Sequence, residues 1–287
     1  MVIEKIKNYS NFIKFEHSLF ALPFALSAYF LVIKQTQFNL LKLLLIIIAL
    51  ISARTFGMAA NRIIDKNIDA LNPRTTSREL ITNKISTKSA YIILFVALII
   101  FYITLLGFNQ IAFLLSPIVF VIFTIYPFTK RFTHMCHYFL GLVYFIAPPA
   151  VEIALTGSFS LSTLLLGLSG FFWVSGFDII YSILDIEFDR KNNIFSIPSK
   201  LGIKKSKIIS WGSHLLTIVL VCLIGFIENL GLIYWIGCTI LFGLFIKEHF
   251  LILKISKNNI NKAFFNMNAQ ISIVLLLMFA FSILING

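Results

Sequence analysis

Nine apolar segments recur along the 287-residue chain, at about residues 18–34, 40–61, 90–106, 110–127, 137–156, 161–181, 208–226, 229–248 and 267–286. A helix needs about 20 mainly apolar residues to cross the hydrocarbon region of a bilayer, and these segments approach or reach that length. Backbone N–H and C=O groups in lipid must be satisfied internally, which an α-helix does within a single segment. The expected fold is therefore all-α: a polytopic membrane protein of nine transmembrane helices. Only 13% of residues are charged, against about a quarter in a soluble domain.

The charges supply an independent reading of topology. With the N-terminus in the cytoplasm, the inner loops are residues 1–17, 62–89, 128–136, 182–207 and 249–266. Counting Lys247 at the end of its helix, these hold 21 of the 24 Lys and Arg residues; Lys34, Lys42 and Arg54 are the exceptions. Cytoplasmic loops carry such an excess. The first 16 residues lack an apolar signal-peptide core and read as a cytosolic segment. The net charge of +12 follows from this topology and from attraction to anionic lipid. It does not indicate nucleic-acid binding, because the basic residues lie in short loops with no basic domain among them.

The outer loops are minimal, whereas inner loops 62–89 and 182–207 are long and polar, so the working face is expected to be cytoplasmic. Acidic residues number only 12, and five of them fall into two rows. Asp65 and Asp69 lie in NRIIDKNID after the second segment, and Asp178, Asp185 and Asp189 in DIIYSILDIEFD at the end of the sixth. On a continuous helix Asn61, Asp65 and Asp69 share about 80° of arc, and Asp178, Asp185 and Asp189 about 40°. Rows of carboxylates at a membrane boundary require cationic compensation. Oxygen ligands without His or Cys suit a hard ion, Mg2+ first. Magnesium is commonly held by a few carboxylates together with substrate phosphates, so two facing rows form a diphosphate clamp. The rows are offset by 120 residues, as in a weak duplication of halves 18–136 and 137–248, with a final helix completing one domain, 1–287.

Basic and aromatic residues share this side. Tyr126, Lys130 and Arg131 lie in YPFTKR, and Arg74 and Arg78 in NPRTTSREL; guanidinium and ammonium groups near a metal suit phosphate. Arg54 lies within the second segment, on the helix face of Asn61, and an intramembrane Arg points to function. Its expected partner is an aspartate row or the carboxylate of an acidic substrate. Tyr181, three residues after Asp178, is a candidate for the same cavity. Cys136, Cys222 and Cys238 read as packing residues, and the five histidines as interfacial or packing residues, with His17 the one to watch.

NRIIDKNID with NPRTTSREL, then YPFTKR, then DIIYSILDIEFD with SIPSKLG, resembles the UbiA-type aromatic prenyltransferases over the first seven segments. The resemblance implies a helical bundle around a lipid-open cavity, with both Asp motifs under a cytoplasmic cap binding Mg2+ and a prenyl diphosphate. Asn61, Asp65 and Asp69 match the first motif; Asp178, Asp185 and Asp189 match the second. Tyr126 and Lys130 match a diphosphate-contacting pair, and Arg54 the Arg before the first motif. Two features depart from the pattern: Asn61-Arg62 replaces Asn-Asp, and FEHSLFALPF replaces a basic-Asp-Lys-Pro-Ile-Gly stretch. FEHSLFALPF with RTFGMAANR resembles instead a branch linked to menaquinone formation.

The expected enzyme thus transfers a polyprenyl group from polyprenyl diphosphate to a small aromatic acid, 4-hydroxybenzoate or a dihydroxynaphthoate, in the bacterial cytoplasmic membrane. Asp65, Asp69, Asp185, Asp189 and Lys130 are its candidate catalytic residues. Arg74, Arg78, Tyr126, Lys130 and Arg131 are expected to bind diphosphate, Arg54 and Tyr181 the acceptor. A CDP-alcohol phosphotransferase also uses boundary aspartates and a divalent metal, but its compact Gly-containing motif is absent. A transporter would place its carboxylates at mid-bilayer rather than at one boundary.

Overall fold

The computed structural model describes residues 2–14, 18–34 and 36–286; His17 lies outside them. In chain order the helices are α1 (Val2–Phe12), α2 (Ser18–Ile33), α3 (Leu40–Ile64), α4 (Lys66–Leu71), α5 (Thr87–Leu105), α6 (Gln110–Thr129) and α7 (Cys136–Thr156). Then follow α8 (Leu161–Ser182), α9 (Ile186–Lys191), α10 (Ile197–Ile227), α11 (Leu232–Leu251), α12 (Lys257–Asn261) and α13 (Asn268–Asn286). Polar residues at the segment edges start these helices. The side chains of Asn39, Ser86, Asn109, Ser160, Ser196 and Ser256 each accept a hydrogen bond from the backbone N–H three residues on, satisfying donors that the first turn leaves free.

Among the described residues eight helices are long and apolar enough to cross a membrane, with Leu22–Ile33 of α2 a shorter apolar helix. The expected segments match helices within a few residues, with one larger departure. The segment expected at 208–226 belongs to α10, which begins at Ile197 and bends at Gly202 (φ 76°, ψ 173°). A left-handed φ is open to glycine without strain, so helix and bend occupy what reads in sequence as a polar loop.

Central helix α8 packs against α7 and α10 through small residues. A Cβ at Gly167 would collide with the carbonyl of Phe145, and one at Gly141 with that of Phe171. Absent side chains let the α7 and α8 backbones approach, as in membrane bundles generally. The core around Phe24, Trp173, Phe177, Tyr234 and Phe279 lies between α2, α8, α11 and α13. Outward-facing Phe95, Ile99, Leu106, Leu114, Phe226 and Leu232 are exposed, a surface suited to lipid.

Candidate active site

Both motifs interrupt their helices at the middle residue of the three. Asp65 separates α3 from α4 with φ −91° and ψ 2°. Asp185 ends a short 3-10 turn (Ile183–Asp185) ahead of α9, with φ −107° and ψ 3°. Each break lies near the sparsely allowed bridge region where active-site residues often sit, and each is followed by a six-residue helix that buries its own aspartate, Asp69 or Asp189. The continuous row expected from helical arithmetic is therefore a bent row: the backbone turns at Asp65 and Asp185.

The two bent rows face one cavity of about 220 Å³. Its wall includes Asn61, Asp65, Asp69, Arg74, Arg78, Tyr126, Lys130, Asp178, Tyr181, Asp185 and Asp189. Protein cations hold the carboxylates. Lys130 Nζ donates to Asp65 Oδ2 at 2.7 Å, and Arg78 donates to Asp69. Arg74 forks onto Asp185, with Nε 2.8 Å from Oδ1 and Nη2 on Oδ2, and Asn72 Nδ2 donates to the same Oδ1 at 3.0 Å. The loop after the first motif is thereby fastened to the second. Hydrogen bonding and the charge of Asp185 outweigh the effect of burial and hold the Arg74 guanidinium above its usual range. Burial pushes the Asp65 carboxyl up, against the opposing pull of Lys130.

Arg131 differs from expectation. It donates to the Ile64 carbonyl at 2.7 Å and stands 3.7 Å from Asp65 Oδ1, but it does not line the cavity. It backs the first motif from outside, because Lys130 ends α6 facing inward and the next residue turns away. Arg54 donates to the carbonyls of Ile13 and Lys14 and lines a second cavity of about 340 Å³, which is largely apolar. Asn61, Tyr126, Asp178 and Tyr181 line both cavities. The polar chamber thus opens into the apolar one through a neck of four polar side chains.

Sequence reasoning missed several members of the site. His137 Nδ1 lies 2.7 Å from Asp178 Oδ2, and its Nε2 accepts the Ile197 N–H at 3.2 Å. An accepting Nε2 carries no proton, so Nδ1 donates and fixes the carboxylate. Ser196 Oγ donates to Asp189 at 2.7 Å. These contacts cross 41 and 7 residues, and His137 carried no spacing signal. Ser196 enters the sequence reading only as the first residue of SIPSKLG.

The donor set suits a divalent hard ion: every candidate ligand is an oxygen, and buried Asp65 Oδ1 receives no hydrogen bond. Among the described residues no three His, Cys, Asp or Glu side chains converge closely enough to hold an ion unaided. That arrangement suits magnesium, which usually takes one or two carboxylates plus substrate phosphates.

The sequence model of the UbiA prenyltransferase family matches residues 21–282. The chain belongs to this family. The 4-hydroxybenzoate octaprenyltransferase of Haemophilus ducreyi is 31% identical over 226 residues, 79% of this chain and 81% of that protein. A UbiA homologue from Aeropyrum pernix K1, solved in its apo form, superposes with a TM-score of 0.82 at 30% identity, covering 92% of this chain and 96% of its own. A UbiA homologue from Archaeoglobus fulgidus, solved with GPP and Mg2+, has a TM-score of 0.71 at 18% identity, covering 95% and 99%, and shows the shared fold. As a UbiA-family protein the chain is a membrane-embedded prenyltransferase, which sets aside the phosphotransferase and transporter readings.

Proposed function

We propose that this enzyme transfers a polyprenyl group from polyprenyl diphosphate to a hydroxylated aromatic acid in quinone biosynthesis, with Mg2+ bound between the aspartate motifs. One observation carries the reading: a polar chamber of carboxylates and cations joins an apolar chamber through the neck of Asn61, Tyr126, Asp178 and Tyr181. An allylic diphosphate needs that pair of environments, with the scissile C–O bond at the neck. Asp65, Asp69, Asp185 and Asp189 would hold the ion, with Asn61 and Asp178 beside it. Bound there, magnesium neutralises the diphosphate and makes it a better leaving group.

Lys130, Arg74 and Arg78 line the same chamber and stabilise the charge that develops on the departing oxygens. The Tyr126 ring at the neck lies beside the allylic carbon as it becomes positive, a contact favoured by the ring quadrupole. The apolar chamber keeps water from that carbon. Arg54, in the wall of the apolar chamber, suits an acceptor carboxylate. A ring carbon beside the hydroxyl then forms the new C–C bond as the C–O bond breaks, and the ring gives up a proton.

The distribution of Lys and Arg supports nine spans with the chambers opening toward the cytoplasmic face of a bacterial inner membrane, α2 completing the count. The matching breaks at Asp65 and Asp185 support an internal duplication of the two halves. The test is to incubate membranes with Mg2+, a polyprenyl diphosphate and either 4-hydroxybenzoate or a dihydroxynaphthoate, and to weigh the products. A prenylated acid is expected with one acceptor; its absence with both refutes the reading.

A further inference from the structure

The last membrane helix begins irregularly. Residues Lys262–Met267, directly before α13, form a π-helical turn. Such turns are rare, tend to occur at functional sites, and free backbone groups from the usual i→i−4 pairing. Here Asn268 takes up the freed groups: its Nδ2 donates to the carbonyls of Ala263 at 3.2 Å and Phe264 at 3.0 Å. Its Oδ1 accepts from Trp173 Nε1 of α8 at 2.7 Å, and Glu248 Oε1 of α11 lies 3.4 Å from Nδ2. Asn268 and Glu248 are wholly buried and Trp173 nearly so. Glu248 Oε2 receives no hydrogen bond and lies 3.5 Å from His214 Nδ1; through Asn268 the network ties the π turn to two neighbouring helices.

The turn decides which side chain faces α8. One residue more or fewer in a turn rotates the preceding helix by about 100°. As built, it lays Phe264 on Tyr181, with ring centroids 4.1 Å apart and planes 25° from parallel. The Arg74 guanidinium lies 4.7 Å from the centroid of the same Tyr181 ring, and Arg74 forks onto Asp185. A continuous chain of contacts therefore runs from the π turn through Tyr181 and Arg74 to the second aspartate motif.

We propose that Phe264 is a positioning residue for the diphosphate site: stacked on Tyr181, it fixes the ring that holds Arg74, and through Arg74 the Asp185 carboxylate. The inference rests on reading the polar chamber as the diphosphate pocket. It assigns a function to the π turn and to the Asn268 network, neither of which touches that chamber. Because Phe264 lines the apolar chamber, the test uses a probe without a prenyl tail.

Purified full-length protein is titrated with inorganic pyrophosphate at fixed Mg2+. Phe264→Leu keeps apolar volume but loses the aromatic face; its affinity is expected to fall about two- to tenfold, the size of one aromatic stacking contact. Phe264→Tyr is expected to restore affinity to within about twofold of the unaltered protein. Unchanged affinity in Phe264→Leu overturns the proposal, as does an equal loss in the Leu and Tyr variants. If Phe264→Leu does not fold, Phe264→Met makes the same comparison without touching the polar chamber, with weakened binding expected and unchanged binding overturning the idea. Tight pyrophosphate binding without any prenylated product would sink the proposed reaction while leaving the stack measurable. No pyrophosphate binding by the unaltered protein would sink both.

Discussion

Lys130 Nζ stands 2.7 Å from Oδ2 of Asp65, so the cation best placed for a phosphate is held by a carboxylate suited to a metal. Arg78 with Asp69 and Arg74 with Asp185 repeat the arrangement. Buried charges persist only when compensated, and the three pairs compensate three of the chamber's five carboxylates, with Asp178 held by His137 and Asp189 by Ser196. On the proposed reading a magnesium–diphosphate complex would offer each partner a replacement, phosphate oxygens for the cations and the metal for the carboxylates, so that binding would exchange partners among charges already paired.

Removing one member exposes that pairing. Lys130→Met leaves buried Asp65 with Arg131 at 3.7 Å as its nearest cation, and is expected to lower kcat/KM about 100- to 1,000-fold. Lys130→Arg should recover part of the loss. Steady-state kinetics with prenyl diphosphate as the varied substrate provides the check.

Asp65→Ala and Asp185→Ala should abolish prenyl transfer while the protein still inserts and purifies as a folded species. Product formation by the purified variants at near unaltered rates would refute the two-motif clamp.

Chelation tests the metal separately. Treatment with EDTA should stop turnover, and added Mg2+ in excess should restore it. Full activity after exhaustive chelation would rule out the arrangement of oxygen ligands proposed above.

His137 orients Asp178 from the first turn of α7. Partners that fix a metal-ligating group typically change metal affinity about 10- to 100-fold when removed. His137→Phe should therefore raise the Mg2+ concentration needed for half-maximal rate by that order. A magnesium titration of the variant decides it.

Arg54 is expected to act on the acceptor alone. Arg54→Met should raise the KM for the aromatic acid about tenfold or more, the scale of a lost charge-assisted contact, with the KM for prenyl diphosphate little altered. Equal changes in both constants would place Arg54 in a general packing role.

Helix positions were legible in the sequence because crossing a bilayer imposes length and apolarity on each segment separately, without reference to its neighbours. That both acidic motifs gather on one side was legible for the same reason: it follows from order along the chain. The bend at Gly202 and the inward extension of α10 were not, since polar residues 197–207 read equally as loop or helix when nothing shows what they pack against.

What the tertiary structure decided is which charges meet. Asp65 and Lys130 are 65 residues apart, and Arg74 and Asp185 are 111 apart; no local pattern links them. Arg131, adjacent to Lys130 and equal in charge, falls outside the chamber because the chain turns just past the end of α6, where Lys130 is the capping residue. Phe264 carries no sequence signal among 31 phenylalanines; the π turn that aims it depends on Asn268 meeting Trp173 and Glu248 of other helices. Membrane solvation acts on each segment by composition, so sequence alone determines the helices and their order. The pairing of buried charges and rings depends on distances between segments, which exist only once the bundle has packed.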